Sequence, residues 1–410
     1  MVLKLALLNT IKPQEGSGEG ITEYFYNIYN QFSEFGLNPE LVYSRTTRDL
    51  NHDYGSFLNR IINRFIFVYD YKNISSELKG MKSRYDIVHV ASQELGFAAK
   101  QIKRRGISKQ VITTIHDLIL LGNENYLSNY NKFLRATYYN IVKASIYDAV
   151  NYSDFIIFDS QLTRRKFVSK YGNKYNTAVV NLGIPNAFTR EIPKIQKHED
   201  FIVGYLGALE PKKNLALILN SAKELLGYDD IKFYIYGMGS LYKKYLDYSV
   251  KNKLSNVEFM GFAEKNKILE VYDSFDVFID PVVSAGFELP ILEAQARGLP
   301  VIIDNNSEIP EEVNKYCLKA VNEKHIVQII KDLKENIYII FEIVFRENDK
   351  TDIVNYFDEN EIETRNLLPI VNQSVYKSYF KNKEQDFPVA TELNRIKFYI
   401  GKHSIFQMTT

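Results

Sequence analysis

The chain has 410 residues, and its length predicts two or three domains at roughly 100 to 200 residues each. Its hydrophobic content of 45% is ordinary for a soluble protein, and 51 basic against 50 acidic side chains argue against nucleic acid as a partner. The single cysteine, Cys317, excludes an internal disulfide framework and a cysteine-based zinc site.

The first residues predict neither a secretory leader nor a membrane span. Residues 1–8 form a run of strand length without the apolar core and cleavage site of a signal peptide. No apolar stretch in the sequence reaches the roughly 18 residues that a membrane helix needs. We therefore expect a cytoplasmic protein.

The N-terminal half begins with the pattern of a strand, a glycine-containing loop and an amphipathic helix. Residues 2–9 are predicted as the strand, and residues 21–35 place apolar side chains at helical spacing before Gly36. Between them lie Gly16 and Gly18, whose backbone N–H groups are candidates to bind a phosphate or a second substrate. The alternative is that these glycines form only a turn.

Two further apolar runs, residues 86–90 and 110–117, are typical of parallel strands. The second run delivers His116 to its carboxyl end, where a ligand can reach it. His89 is the competing histidine, but its place inside an apolar strand favours a role in the core. A third strand is predicted to end near Ser160, whose hydroxyl suits the cap of the following helix.

Two segments of this half combine basic and apolar residues. Residues 57–69 mix large apolar side chains with arginines, and residues 100–105 form a basic cluster on a predicted helix. Both are candidates for peripheral contact with anionic lipid at the inner face of a membrane. Core packing together with a solvated helix face is the alternative interpretation.

A polar stretch with two prolines, residues 185–200, is predicted to link the two halves. Residues 201–206 then predict a buried strand, and apolar side chains from Leu215 onward repeat at helical spacing. Lys213 is therefore expected on the carboxyl side of the strand, where ligands bind in open α/β sheets. Lys212 is a candidate second charge, although adjacent lysines also suit a solvated helix start.

Residues 280–310 predict a glycine turn, a short helix and a buried strand. Pro290 suits the first position of the helix, and Gly298 suits the position just past its end. Glu293 lies one turn inside that helix, near N–H groups that favour hydroxyl or anionic ligand groups. Gly286 would allow the backbone to approach such a ligand closely.

This segment resembles the signature of glycosyltransferase family 4, which usually reads E-G-F-G-L-P-x-L-E. The matching positions are Gly286, Phe287, Leu289, Pro290, Leu292 and Glu293. Ala285 replaces the usual first glutamate, and Glu288 replaces the usual second glycine. Upstream, residues 205–215 resemble the family's G-x-L-x-P-x-K-N segment, with Ala208 where many relatives have arginine.

The resemblance implies an α/β protein of the GT-B fold, in which two Rossmann-like domains face each other across a cleft. It implies transfer of a sugar, with retention, from a nucleotide diphosphate sugar to a hydroxyl of a glycan, lipid-linked or small-molecule acceptor. Neither metal nor cofactor is expected. A non-catalytic GT-B module that binds sugar nucleotides is the main alternative, because a dinucleotide-binding Rossmann enzyme would need the third glycine that G-S-G-E-G-I lacks.

The same resemblance assigns roles to individual residues. Lys213 would neutralise the diphosphate, Glu293 would accept hydrogen bonds from the ribose, and His116 would stabilise charge on the transferred sugar. Glu288, three residues after Ala285, is a candidate to supply the missing carboxylate. The predicted catalytic residues are His116, Lys213 and Glu288. The predicted donor-binding residues are Gly16, Gly18, Lys212, Lys213, Gly286, Phe287, Leu289 and Glu293.

The expected domain organisation has four parts. These are an N-terminal acceptor domain (1–184), a linker (185–200), a C-terminal nucleotide-sugar domain (201–375) and a segment that crosses back to the first domain (376–410). Residues 326–345 and 367–381 have the apolar spacing of helices, and residues 393–406 are the candidate crossing helix.

Overall fold

The computed structural model describes residues 3–12, 20–45, 57–81, 84–118, 132–185, 187–190, 199–335, 341–344, 362–366 and 397–402. The chain divides into two compact units, residues 1–323 and residues 324–410. The first unit contains two parallel sheets of six strands, and the second contains a three-stranded antiparallel sheet.

The first parallel sheet has the strand order β2-β1-β3-β4-β5-β6. Its strands are β1 (Leu5–Ile11), β2 (Glu40–Arg45), β3 (Tyr85–Val90), β4 (Ser108–Ile115), β5 (Phe155–Phe158) and β6 (Thr177–Val179). Such short apolar runs suit a parallel sheet, because helices cover both of its faces. The order of strand addition reverses between β1 and β3, so the loops after these two strands flank a topological switch point.

Helices connect these strands, as in a doubly wound sheet. They are α1 (Gly20–Glu34), α2 (Phe57–Gly80), α3 (Gly96–Arg105), α4 (Lys132–Tyr152), α5 (Gln161–Tyr171) and the short α6 (Ala187–Arg190). The predicted stop of α1 is confirmed, since Gly36 follows it with a left-handed φ of 74°. The predicted cap is also confirmed, since the Ser160 hydroxyl accepts a hydrogen bond from the Thr163 N–H at 3.2 Å.

The second parallel sheet has the strand order β12-β11-β10-β7-β8-β9. Its strands are β7 (Phe201–Leu206), β8 (Ile231–Tyr236), β9 (Val257–Gly261), β10 (Val277–Asp280), β11 (Val301–Asp304) and β12 (Leu318–Ala320). The chain adds β8 and β9 on one side of β7 and then returns to add β10 on the other. The loops after β7 and β10 therefore flank the switch point of this sheet, the place where ligands bind in such folds.

The helices of this half are α7 (Leu215–Glu224), α8 (Tyr242–Lys251), α9 (Ile268–Asp273), α10 (Leu289–Ala296) and α11 (Glu311–Asn314). The short, sharply bounded helix expected from the sequence is confirmed in α10, which Gly298 follows with a φ of 76°. Pro290 occupies the second position of α10 instead of the predicted first, a shift within the usual uncertainty of helix ends.

Buried contacts fix α9 and α10 beside the switch point of the second sheet. The rings of Tyr272 and Phe278 pack with their centroids 5.5 Å apart. Arg297 donates two hydrogen bonds of 2.7 Å to the Asp273 carboxylate, and both side chains are almost completely buried. Because this bidentate pair joins the end of α9 to the end of α10, it holds both helices in place.

The second unit differs from the sequence-based expectation. The helix predicted over residues 326–345 is α12 (Glu323–Lys334), and residues 341–344 instead form a strand, β13 (Phe341–Val344). The predicted helix over residues 393–406 is wrong where it is described, because that part is β15 (Lys397–Lys402). It pairs antiparallel with β13 and with β14 (Ile362–Asn366). Short runs rich in aromatic and β-branched residues favour strands over helices.

Several predictions from the sequence concern residues outside those that the structure describes. They are the glycine loop with Gly16 and Gly18, the helix predicted over residues 367–381, most of the linker, and the expected domain limit at residue 375. The domain boundaries stay predictions, with the first sheet ending at Val179 and the second beginning at Phe201. Across the part of the chain that is described, no helix is long and apolar enough to cross a membrane.

Candidate functional site

The loop after β7 carries Lys213 to the switch point of the second sheet. A 3₁₀ turn, Pro211–Lys213, follows β7, and Asn214 then adopts a left-handed φ of 46° before α7 begins. The carbonyl of Lys212 accepts a hydrogen bond of 2.8 Å from the Val283 N–H, which ties this loop to the segment after β10. Lys213 therefore lies between the carboxyl ends of the two central strands, as its sequence position predicts.

Two carboxylates meet the Lys213 ammonium. Glu288, the residue before α10, forms a short hydrogen-bonded ion pair with the Lys213 Nζ. Asp280, the last residue of β10, places its Oδ2 atom 3.6 Å from the same nitrogen. The relative exposures are 7% for Lys213, 6% for Glu288 and 1% for Asp280. We call these three residues the buried triad, and with every group ionised it holds one positive and two negative charges.

The protonation of the buried triad follows from its burial and its charges. Burial alone would lower the pKa of Lys213, but the charges of Asp280 and Glu288 outweigh burial and raise that pKa above its ordinary value. Burial raises the pKa of Asp280 to about 7, with the Lys213 ammonium opposing this shift and the Glu288 charge adding to it. Lys213 is thus firmly charged, whereas Asp280 titrates near neutral pH.

Asp280 is held in place more rigidly than Glu288. Its Oδ1 atom accepts a hydrogen bond of 3.3 Å from the Val282 N–H, and the side chain is at the end of a central strand. Its Oδ2 atom is buried and has no hydrogen-bond partner among the described residues, the Lys213 nitrogen at 3.6 Å being the nearby charge. Burying a carboxylate oxygen without a hydrogen bond costs folding free energy, so the charges of the triad are only partly compensated.

Glu293 lies on α10, five residues after Glu288 of the buried triad. Its Oε2 atom accepts a hydrogen bond of 2.8 Å from the hydroxyl of Tyr272, whose side chain is fully buried. Burial, with the Glu293 charge adding to it, raises the pKa of Tyr272 well above its ordinary value, so this hydroxyl remains a donor. The contact orients the Glu293 carboxylate, and its predicted role toward ribose hydroxyls stays a prediction.

The glycine of the motif packs against the N-terminal half. A Cβ atom added to Gly286 would lie 1.9 Å from the carbonyl oxygen of His116 and 2.9 Å from the Cβ atom of Asp117. Only glycine fits this contact without a shift of the backbone. Phe287 and Leu289, on either side of Glu288, are half-buried. The structure therefore brings the motif against the residues that follow β4.

The imidazole of His116 is bound on both sides by acceptors. Its Nδ1 atom lies 2.6 Å from the Asp159 Oδ2 atom, and its Nε2 atom lies 2.7 Å from the Ala91 carbonyl oxygen. Burial alone would lower the pKa of His116, but the Asp159 carboxylate outweighs burial and raises the pKa above its ordinary value. Since both partners are acceptors, each ring nitrogen has to donate, and the ring is a buried imidazolium.

His89 has the core role that its sequence position favours. Its Nε2 atom lies 2.8 Å from the Thr114 hydroxyl, which in turn lies 2.8 Å from the Tyr24 hydroxyl. Burial, reinforced by the charge of His116, lowers the pKa of His89 to about 4. His89 is therefore neutral at physiological pH.

Two aspartates of the site escaped the sequence analysis. Asp280 ends β10 and Asp159 directly follows β5, so each comes at the carboxyl end of a short apolar strand. That pattern, an acidic residue closing a buried run, was the signal available in the sequence. It places a carboxylate at the edge of the sheet where ligands bind.

Comparison with known families identifies the chain. The family model described as Glycosyltransferase Family 4 matches residues 18–187. The family model described as Glycosyl transferases group 1 matches residues 200–336. Together the two matches include all the predicted site residues except Gly16. The chain belongs to glycosyltransferase family 4.

Individual relatives and solved structures agree with this assignment. The O-antigen chain mannosyltransferase B of Escherichia coli is 22% identical over 245 residues, which are 55% of this chain and 62% of that protein. The E. coli UDP-Gal:alpha-D-GlcNAc-diphosphoundecaprenol alpha-1,3-galactosyltransferase is 25% identical over 267 residues, which are 61% of this chain and 65% of that protein. The chain thus spans less than two thirds of the length of either relative.

The fold is that of the GT-B glycosyltransferases. Sucrose-phosphate synthase from Thermosynechococcus elongatus matches with a TM-score of 0.62 at 14% sequence identity, over 82% of this chain and 90% of that one. The predicted GT-B fold, with two Rossmann-like sheets, is confirmed.

This member of glycosyltransferase family 4 departs from the usual motif at two positions, Ala285 and Glu288. Ala285 is 9% exposed, and its N–H donates to the carbonyl of Glu308 at 3.1 Å. Glu288, in place of a glycine, brings the carboxylate that pairs with Lys213. In the part of the chain that is described, no cluster of three or more His, Cys, Asp or Glu side chains is arranged to hold a metal ion.

Asp159→Asn is expected to lower the pKa of His116, because it removes the carboxylate that outweighs burial and favours the charged ring. The stability that the imidazolium contributes in the wild type is present at low pH and is lost as pH rises through its raised pKa. An NMR titration of the His116 ring measures the shift. Asp148→Asn, which removes the partner of Lys100, is the control. An unchanged His116 pKa in Asp159→Asn would show that Asp159 does not set the charge.

Proposed function

We propose that this chain transfers a sugar from a nucleotide diphosphate sugar to an acceptor hydroxyl, with retention of the anomeric configuration and without a metal ion. The bond between the anomeric carbon and the diphosphate oxygen breaks, and a bond from the acceptor oxygen to that carbon forms. The acceptor hydroxyl gives its proton to the oxygen of the leaving diphosphate, and the nucleoside diphosphate departs. The negative charge that grows on the leaving diphosphate is what the protein has to stabilise.

The observation that carries the proposal is the position of Lys213. It lies at the switch point of the second sheet, where the loops after β7 and β10 meet, and the match to Glycosyl transferases group 1 spans this region. A lysine there is suited to neutralise the diphosphate, and the N-terminal end of α7 adds its partial positive charge. In this proposal Lys213 and the helix supply the charge for which other glycosyltransferases use a metal.

Three further residues receive roles in the proposal. Glu293, oriented by Tyr272, accepts hydrogen bonds from the ribose hydroxyls, each worth about 1.5 to 3 kcal/mol for a charged acceptor. Glu288 supplies the carboxylate toward the sugar that Ala285 cannot supply. We place His116 beside the transferred sugar, with its ring held by Asp159 and the Ala91 carbonyl. The charge that develops on the anomeric carbon is positive, so the imidazolium orients the loop after β4 and does not itself stabilise that charge.

The acceptor is proposed to be a glycan or a lipid-linked sugar. One relative is named for a UDP-Gal donor and a diphosphoundecaprenol-linked acceptor, which favours a uridine diphosphate sugar and a lipid-linked acceptor. The basic cluster at residues 100–105 gives only weak support for contact with anionic lipid. Lys100 pairs with Asp148 at 2.9 Å and Lys103 with Asp154 at 2.5 Å, which lowers the positive charge that α3 presents.

A panel of UDP-, GDP-, ADP- and dTDP-sugars, each with its free nucleoside diphosphate, tests the proposal by thermal shift and by release of the diphosphate without added metal. A ligand at 100 times its Kd should stabilise the folded chain by about 2.7 kcal/mol. We expect one nucleotide to stabilise the chain and its sugar donor to be turned over. Binding without release, even with acceptors present, would instead support the non-catalytic module, and no binding at all would remove the site assignment.

A further inference from the structure

The position of Glu288 has a consequence for donor binding, which rests on the proposed function of Lys213. The Lys213 ammonium is bound to the Glu288 carboxylate, and both side chains are nearly buried. Glycine is the usual residue at this place in the motif and carries no such group. A diphosphate that approaches Lys213 therefore finds its ammonium already paired with a carboxylate.

We infer that the Glu288 carboxylate is an internal competitor of the donor diphosphate. It occupies the anion-binding position on Lys213 while the site is empty, and it leaves that position when the diphosphate binds. Glu288 thereby sets the affinity of this glycosyltransferase for every ligand that has to reach Lys213 through a phosphate.

The charges of the buried triad favour such an exchange. Above the Asp280 pKa near 7, one ammonium faces two carboxylates, so an arriving diphosphate would add negative charge to a buried site that already carries a net negative charge. Like charges at these distances in a poorly solvated site repel strongly. The Lys213 ammonium has three N–H donors, so a diphosphate can bond to it beside Glu288, but it gains the full attraction of the cation only when the nearer carboxylate moves away.

Glu288 is the carboxylate that is free to move. Asp280 is at the end of a central strand and accepts the Val282 N–H, whereas Glu288 precedes α10 with an extended backbone (φ −112°, ψ 92°). Its side chain makes no capping hydrogen bond to the helix, and the one hydrogen bond recorded for its carboxylate among the described residues is that with Lys213. A rotation of Glu288 therefore exchanges one bond and breaks no other.

The competition also connects two roles of the same residue. Once displaced by the diphosphate, the Glu288 carboxylate becomes available to the sugar, the role proposed for it above. Removal of the carboxylate should then improve binding of the nucleoside diphosphate while turnover of the sugar donor falls. Because a nucleoside diphosphate carries no sugar, its Kd reports on the competition alone.

Titration calorimetry with UDP, GDP, ADP and dTDP on the full chain tests the inference. Glu288→Gln keeps the shape of the side chain, and Glu288→Gly removes it and restores the usual motif residue. Both variants are expected to bind the preferred nucleoside diphosphate at least about tenfold more tightly than the wild type, since one charge-assisted hydrogen bond no longer competes. Glu264→Gln, which removes an exposed carboxylate paired with Lys267, is the charge control and should leave the Kd unchanged.

The outcomes separate this inference from the proposed function. Equal or weaker binding by both Glu288 variants, with binding by the wild type, would overturn the competition and leave the proposed function standing. Tighter binding by Glu264→Gln of the same size would assign the effect to net charge and would also overturn it. If all the chains melt cooperatively and none binds any nucleotide, the inference and the proposed function both fail.

Discussion

Lys213→Met is expected to lower the free energy of unfolding by about 3 to 5 kcal/mol at pH 8, because removing one partner of a buried ion pair leaves uncompensated charge. Here the loss is compounded, since Asp280 and Glu288 would remain as two buried carboxylates without their cation. Methionine keeps much of the side-chain volume, so the effect is electrostatic rather than a cavity. Unfolding in urea, followed for both proteins, measures the difference.

Lys223→Met is the matched control for this measurement. Lys223 lies in the last turn of α7, the helix that follows Lys213, and bonds to Asn252 at an exposed position. Surface substitutions of this kind usually change stability by less than about 0.5 kcal/mol. If Lys213→Met costs no more than this control, the buried triad is not the electrostatic centre that its geometry indicates.

The cost of Lys213→Met should shrink as pH falls. In the wild type burial holds the pKa of Asp280 near 7, and Lys213 opposes that rise, so its removal raises the pKa further. A carboxyl group with a raised pKa binds protons more tightly in the folded than in the unfolded chain. Stability is therefore gained as pH falls through the folded pKa toward the ordinary value near 4. Unfolding curves at pH 5 and pH 8 should show a smaller difference between variant and wild type at pH 5.

The same variant should lose turnover of the sugar donor by about a hundredfold to a thousandfold, the usual loss when a preorganised group that stabilises developing charge is removed. The assay has to be run at a temperature at which the variant is folded. Retention of full turnover by Lys213→Met, with Lys223→Met also active, would remove Lys213 from the mechanism.

The sequence predicted the elements of the site well, because each is defined by local signals. The strand before Lys213, the glycine that ends α10 and the cap at Ser160 follow from apolar runs and turn residues that act over a few positions. The sequence predicted six of the twelve strands in the two parallel sheets, namely β1, β3, β4, β5, β7 and β11, and missed the other six. The C-terminal strands β13 and β15 were missed, because a short apolar run does not by itself distinguish a strand from a helix.

The contacts of the site could not be predicted, because they depend on strand order. Lys213 and Glu288 are 75 residues apart, and they meet because β10 pairs with β7 instead of with the preceding strand β9. His116 and Asp159 are 43 residues apart and meet through the pairing of β4 with β5. The sequence placed Lys213 and His116 on the carboxyl side of their strands, the edge of each sheet where ligands bind. Which acidic group would neutralise which cation required the tertiary structure.

Gly286→Ala is expected to destabilise the chain by about 1 to 3 kcal/mol, the usual cost of forcing extra atoms into a packed contact. The new Cβ atom would lie 1.9 Å from the His116 carbonyl oxygen, which is backbone and has little freedom to move. Gly286 is not among the described residues with a positive φ, so the cost comes from the contact and not from backbone strain. Gly227→Ala is the control, since a Cβ atom there meets nothing within 4 Å.

This variant also decides why the motif needs a glycine at position 286. The sequence predicts that Gly286 allows a ligand to approach the backbone closely, whereas in the structure the residues after β4 fill the space beside it. If packing is the reason, chemical unfolding of Gly286→Ala without ligand shows the loss of stability, and Gly227→Ala does not. If ligand approach is the reason, the unliganded variant is as stable as the control and loses only its affinity for the nucleotide. The first result is the one that the His116 carbonyl requires, because its distance to the added atom is far inside van der Waals contact.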